Sequence, residues 1–284
     1  MSIAIKDMIQ TGAHYGHRTN KWNPKMREFI FGVKNGIHIL DLQQTVELFD
    51  DATNFAQHIV SKGGKILFVG TKRQAQHTII TEAQRSGMPY VANRWLGGML
   101  TNFKTIKESI KKLKRYERMI ETNKINHLSK KEIIKMNKEI VKLERNLGGL
   151  RDLKKMPKAL FVIDIKKEHL AIADAKRLGI KVIALADSNV DPTLIDYIIP
   201  ANDDGIKSIK LFTQAFADAC VTGSKLFEEN LQQEGSDVRV EKKKFQKKGK
   251  KRTVKRHFTP NKPKTEAKTE VKAEVKKEVK TETK

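Results

Sequence analysis

The chain has 284 residues, long enough for one large domain or two smaller ones, and its 57 Lys and Arg against 33 Asp and Glu leave a formal charge of +24. A single cysteine, Cys220, excludes an internal disulfide and a cysteine-based zinc site, and fits a reducing compartment. No stretch approaches the roughly 18–20 apolar residues of a membrane span, and the start carries no signal-like apolar run, so a cytoplasmic location without a membrane partner is expected.

In chain order, residues 2–11 predict a short helix stopped by Gly12. Residues 13–26 are basic, rich in Gly, Asn and aromatic side chains, and read as irregular. Apolar segments at 29–33 and 37–40 flank Asn35-Gly36, a strong hairpin signal. Asp41 with Gln44 caps a helix whose apolar face is Leu42, Val46, Phe49, Ala56, Ile59 and Val60. Strands are predicted at 65–69, 89–91, 159–165, 182–185 and 197–199, and helices at 72–85, 167–178 and 203–221. Continuous apolar strands between helices imply a parallel sheet covered on both faces. The fold class is therefore α/β, a five-stranded flavodoxin-like three-layer sandwich.

A second pattern interrupts the first. Ile106, Ile110, Leu113 and Ile120, then Ile133, Met136, Ile140, Leu143, Leu147 and Leu150, recur at the three- and four-residue steps of a coiled-coil seam. Residues 123–129 supply the turn, and Ser129 with Glu132 reads as a capping box. Each seam is too narrow for a globular core, so the arms are expected to pair and project. The expected organisation is a body at 1–103 and 154–231, a hairpin at 104–153, and a tail at 232–284.

Charge follows these boundaries. Residues 104–155 hold 17 basic and 7 acidic side chains, and residues 237–284 hold 19 and 7, which leaves only +2 for the remainder. The last 20 residues are a Lys/Glu/Thr/Val/Ala run too poor in large apolar groups to order, so the tail is expected to be disordered. Such segregation points to a polyanion, nucleic acid before membrane. Tyr15, Trp22, Trp95 and Phe103 lie among Arg18, Lys21, Lys25, Arg27, Arg94 and Lys104. Cations there can meet phosphates and aromatic faces can stack on unpaired bases; the alternative for Trp22 and Trp95 is that they anchor their loops.

Other chemistry is thinly supported. Gly70-Thr71-Lys72-Arg73 after the first parallel strand matches neither a dinucleotide fingerprint nor a phosphate loop. Asp164, Asp187, Asp203 and Asp204 fall near strand ends or a helix start, where caps are the ordinary role; with His14 and His17 they are the only candidates for a metal, which is not expected. No cofactor and no enzymatic activity are expected. Cys220 shares a helical face with Ile209, Phe212 and Phe216 and reads as core.

Several ordered motifs resemble the bacterial small-subunit (30S) ribosomal protein number two (S-two) family. They include Gly12-Ala13-His14-Tyr15-Gly16-His17-Arg18-Thr19, Trp22-Asn23-Pro24-Lys25-Met26, Phe68-Val69-Gly70-Thr71-Lys72-Arg73, Arg94-Trp95-Leu96-Gly97-Gly98-Met99-Leu100-Thr101-Asn102 and Ile199-Pro200-Ala201-Asn202-Asp203-Asp204, spread over residues 8–221. The resemblance implies the same sandwich with a coiled-coil insertion. It also implies a non-catalytic structural role in the small subunit, with ribosomal RNA, neighbouring small-subunit proteins and, where present, ribosomal protein S-one as partners. Candidate RNA contacts are Arg18, Lys21, Trp22, Lys25, Arg27, Arg94, Trp95, Lys104, Lys107 and Lys111. The basic tail departs from the family pattern. The competing reading is a sugar- or nucleotide-binding α/β enzyme with an accessory RNA-binding arm.

Overall fold

Apolar runs too long to alternate build the centre of the molecule. In the computed structural model, which describes residues 3–122 and 129–249 with side chains to residue 232, five such runs form one parallel sheet. They are β4 (Ile66–Val69), β5 (Tyr90–Val91), β6 (Ala159–Ile163), β7 (Lys181–Ala186) and β8 (Tyr197–Pro200), in the order β5-β4-β6-β7-β8. Counted within the sheet this is 2-1-3-4-5, the flavodoxin-like order, with the reversal between β4 and β6.

Side chains of these strands alternate between two buried layers. Ile66, Phe68, Phe161, Ile183 and Leu185 face α2 (Leu42–Ser61), α3 (Arg73–Ser86) and the start of α7 (Ile206–Gly249). That layer is aromatic, with Phe161 and Phe216 stacked at 4.2 Å between centroids. Cys220 is buried in it, as its helical face implies. Leu67, Val69, Leu160, Val162, Val182 and Ala184 face the other way, toward α6 (His169–Arg177). The short α1 (Ile5–Thr11), ended by Gly12, places Met8 in the first layer.

The N-terminal segment is more regular than its composition predicts. Tyr15–Arg18 is a strand, β1, and joins β2 (Ile30–Lys34) and β3 (Ile37–Leu40) in a second, antiparallel sheet of order β1-β3-β2. Its side chains do not alternate apolar and polar, so no period-2 signal marks it; pairing with β3 makes it a strand. Between β2 and β3, Asn35 and Gly36 both take positive φ, at 52° and 71°, as the two-residue hairpin turn requires. Asp41 caps α2 through Gln43 N–H, and Gln44 donates to its other oxygen at 3.0 Å.

The insertion forms two paired helices, α4 (Phe103–Glu121) and α5 (Lys130–Leu147), between β5 and β6. Ile106, Ile110, Leu113, Met136 and Leu147 are buried as the seam predicts, and the Ser129–Glu132 capping box is complete. Ile120 is a correction: it is exposed, and Tyr116 and Met119 are the half-buried residues at that end of α4. The rest of the turn, 123–128, lies outside the described residues. The hairpin is rooted rather than merely appended. Ile106, Ile110, Leu147, Leu150 and Leu153 belong to the same buried layer as α6.

The chain divides into two units, Met1–Glu234 and Gly235–Lys284. Helical backbone in α7 runs to Gly249 instead of stopping near Val221, because residues 224–234 are rich in Lys, Leu, Glu and Gln, good helix formers with no proline. The expected disordered tail, 232–284, falls largely on residues whose side chains are not described, and residues 250–284 lie outside the described residues.

Candidate nucleic-acid interface

Two loops carry most of the predicted cations, and the structure seats both on one layer. After Arg18 the chain turns through Thr19–Lys21 and Pro24–Phe29, both single 3-10 elements. Met26 and Phe29 plug this loop into the α6-side core. Trp95, Met99 and Leu100 plug the 93–102 loop into the same core, beside the root of α4. The basic side chains between these plugs are left outside: Arg18, Lys21, Lys25, Arg27, Arg94, Lys104 and Lys111 are exposed.

The two tryptophans do different things. Trp95 is 5% exposed, and its indole N–H donates to Asp174 on α6 at 3.3 Å, with Thr101 Oγ1 donating to the same carboxylate at 3.2 Å. Buried in this way it pins its loop, which is the anchoring alternative of the two roles open to it. Trp22 is half-buried, its ring 5.1 Å from that of His38 on β3.

The cations also differ in how free they are. Lys25 Nζ lies 2.6 Å from Asp191, whose carboxyl is held at about 2 by that bond and by Thr193. Lys107 Nζ donates to the Lys154 carbonyl at 2.7 Å and sits over the Phe103 ring, so it ties the two ends of the hairpin together. Among the described residues Arg18, Lys21, Arg27, Arg94, Lys104 and Lys111 have no ion-pair partner.

A network that spacing cannot reveal fixes the first loop to the sheet. His17 Nδ1 is 2.9 Å from Asp187 and its Nε2 3.5 Å from Asp204. Ser188 Oγ accepts from His17 N–H at 2.9 Å, and the Ser188 carbonyl accepts from Asn23 N–H at 2.8 Å. Next to it Lys72 Nζ lies 3.2 Å from Asp164, 2.7 Å from Asp203 and 2.6 Å from Asp204. Four carboxylates thus share one ammonium and one imidazole. Bonding to Asp187 raises the His17 pKa against burial. Burial opposes the charge on Lys72, but Asp203, Asp204 and Asp164 outweigh it and its pKa rises. Burial, then repulsion from Asp164 and Asp187, pushes Asp203 up to about 7 against the pull of Lys72.

This network occupies the crevice at the carboxyl ends of β4 and β6, where flavodoxin-like sheets ordinarily bind ligands. Here Lys72 is spent on aspartates, and Glu168, 2% exposed, accepts from Thr71 N–H at 2.7 Å. A phosphate entering would meet carboxylates. The candidate metal ligands also resolve into ion pairs: His17, Asp187 and Asp204 come together, whereas His14 lies against Tyr15 with 4.1 Å between ring centroids. Among the described residues no group of three His, Cys, Asp or Glu has the geometry to hold a metal. The residues whose roles were missed from the sequence are Lys72, Asp174 and Ser188; Lys72 stands in the Phe68–Arg73 motif, two positions after a strand-end glycine, whereas no motif marks Asp174 or Ser188.

Comparison with known proteins places the chain in a family. A family model described as Ribosomal protein S2 matches residues 8–223. The small ribosomal subunit protein uS2 of Maridesulfovibrio salexigens is 52% identical over 241 residues, covering 85% of this chain and 93% of that protein. The proteins of the same name from Solidesulfovibrio magneticus and Nitratidesulfovibrio vulgaris strain DP4 are 51% and 50% identical, covering 78% and 85% of this chain and 86% and 94% of their own lengths. Among the described residues no helix is long and apolar enough to cross a membrane.

Proposed function

This chain belongs to the ribosomal protein S2 family, and from that premise we infer that it is a structural constituent of the small ribosomal subunit, holding ribosomal RNA through the exposed cations of its two anchored loops and its hairpin. The observation that carries the reading is the common seat of the loops: Met26, Phe29, Trp95, Met99 and the hairpin root share one buried layer, so Arg18, Lys21, Arg27, Arg94 and Lys104 are presented from a rigid base. Phosphates supply affinity to such a surface, which makes it salt-dependent.

The role is non-catalytic and is exercised in the cytoplasm, on the ribosome. Neighbouring small-subunit proteins share the surface, and ribosomal protein S-one is recruited with its help where that protein is present. A sugar- or nucleotide-binding enzyme is disfavoured because Asp164, Asp203 and Glu168 fill the ligand crevice.

Sedimentation of lysate through a gradient at low and high salt tests the reading. Co-migration with the small subunit at moderate salt is the expected result, and free migration at both salts overturns it. Charge reversal at Arg18, Arg27 and Arg94 together is expected to weaken incorporation while the protein stays folded. Unaltered incorporation removes these three from the contact surface.

A further inference from the structure

The hairpin has two unlike sides. On one, its cations are consumed by the protein itself. Lys107 Nζ is bound to the Lys154 carbonyl and Lys114 Nζ to the Arg151 carbonyl, at 2.7 and 2.9 Å. Arg151 is clamped between Glu117 and Glu144. Ile134 and Val141, 56% and 68% exposed, also point away from the seam.

On the other side the arms leave an open groove of about 740 Å³, lined by Lys112, Arg115 and Tyr116 of α4 and by Lys135, Lys138 and Lys142 of α5. Glu132 and Glu139 also line it, so five cations face two carboxylates, a local charge of +3. Both carboxylates are already engaged. Glu139 pairs with Lys112 and accepts from Tyr116 Oη at 3.1 Å, and Glu132 accepts from Ser129 N–H at 2.9 Å in the helix cap. Among the described residues Lys135, Lys138 and Lys142 have no hydrogen-bond or ion-pair partner. Their spacing of three and four residues places them in one row, about 10 Å long at the helical rise. Met136 and Met119 give the groove an apolar floor, and a smaller groove lined by Glu108, Lys111, Lys112 and Arg115 continues it toward the hairpin root.

We propose that this groove is the RNA-binding face of the hairpin: a run of ribose-phosphate backbone lies along it, its phosphates on the row Lys135, Lys138 and Lys142 and on Arg115, its sugars over the methionines. The assignment rests on the ribosomal reading above and deepens it by choosing one face. It moves the contact from the root residues Lys104 and Lys107 to the middle of the arms, with Lys111 as the link. Apolar floors flanked by unpaired cations suit a chain of alternating sugar and phosphate better than they suit a folded protein surface, which would leave three ammonium groups without counter-charge.

The test uses the full-length chain and protein-free small-subunit ribosomal RNA, with affinity measured across a salt series. In one variant Lys135, Lys138 and Lys142 become Gln; in a second they become Arg; in a third Lys130, Arg118 and Arg145, exposed on the same hairpin but outside the groove, become Gln. With about 0.7–0.9 of logarithmic slope per phosphate contact, the first variant should lose about 2–3 of slope and roughly a hundredfold in affinity at 0.1 M salt. The Arg variant should bind as the parent does, and the third should lose far less. Equal losses in the first and third variants would show that net charge, not the groove, matters. Parent-like binding by the first variant overturns the groove assignment alone, as does loss of crosslinks to a neighbouring protein with RNA affinity intact. Failure of the parent chain to bind this RNA at all overturns the groove as a direct RNA face, while co-migration with the small subunit still decides the ribosomal reading.

Discussion

His17, near the start of the chain, sits with its Nδ1 2.9 Å from the buried carboxylate of Asp187 at the end of β7. The pair joins the small antiparallel sheet, which bears Arg18, to the carboxyl edge of the large one. A positioning contact of this kind makes loop geometry sensitive to protonation, and the direction can be worked out. The His17 pKa is raised above its ordinary 6.5, so its stabilisation is complete below that value and is lost as pH climbs through the raised one. Asp203, pushed up from 3.8 to about 7, holds a proton in the folded chain that the unfolded chain has released, so stability also falls between those values as pH rises. The urea midpoint should therefore be higher at pH 6 than at pH 8. His17→Gln should cost roughly 1 kcal/mol at pH 6 and flatten this dependence. An unchanged pH profile in the variant would separate His17 from it.

Lys72 is the single ammonium among three aspartates and is itself buried. Lys72→Met should destabilise the fold by about 3–5 kcal/mol, because it leaves buried carboxylates uncompensated. Adding Asp203→Asn should recover about 1–3 kcal/mol of that loss, since one repelling charge goes with it. Chemical denaturation of the two single variants and the double gives the coupling; additive losses would contradict a shared network.

Trp95 tests anchoring against stacking. Trp95→Phe keeps the ring but deprives Asp174 of its donor, and should cost about 1–2 kcal/mol. Trp95→Ala should cost about 3–5 kcal/mol by opening a cavity beside Met99 and Leu100. The RNA affinity of folded Trp95→Phe should match the parent, whereas an indole that stacked on a base would lose affinity when cut back to a phenyl ring.

Where α5 ends, Gly149 passes so close to β5 that a Cβ would overlap the Tyr90 carbonyl oxygen and lie 2.7 Å from its ring. Gly149→Ala should cost about 1–3 kcal/mol by overpacking and shift the hairpin root away from the sheet. Thermal melting together with hydrogen exchange at Tyr90 and Val91 reads both effects.

The parts of this molecule that can be read from its sequence are those held by local periodicity. Ile66 to Val69 and Ala159 to Ile163 are unbroken apolar runs and can hardly be anything but buried strands. Ile106, Ile110, Met136 and Leu147 announce a seam by their steps. Ile120 keeps the step pattern yet is exposed, and Tyr116 reaches across the arms to Glu139, an interaction that a single-helix pattern does not contain. β1 was hidden because Tyr15-Gly16-His17-Arg18 carries no alternation and owes its conformation to β3. The Lys72, His17 and Asp174 contacts were hidden for the same reason. Each joins side chains separated by 70 or more positions, and no spacing rule reaches that far. The cation list was legible as residue types, whereas the partition between free and occupied cations needed coordinates.

The long reach of the His17 tether also has a consequence in time. Ser188 is 171 positions from His17, and Asn202, which donates to the Gly12 carbonyl, is 190 positions away from it. A ribosome adding about 5–20 residues per second needs roughly 10–40 s to supply those partners after the first strand has been made. During that interval the segment bearing Arg18, Lys21 and Arg27 can pair with β3 but has no large-sheet edge to be tethered to. The proposed grip on RNA is consequently fixed in place last although its residues are synthesised first, so on this reading a nascent chain holds its target firmly only once nearly the whole body has emerged.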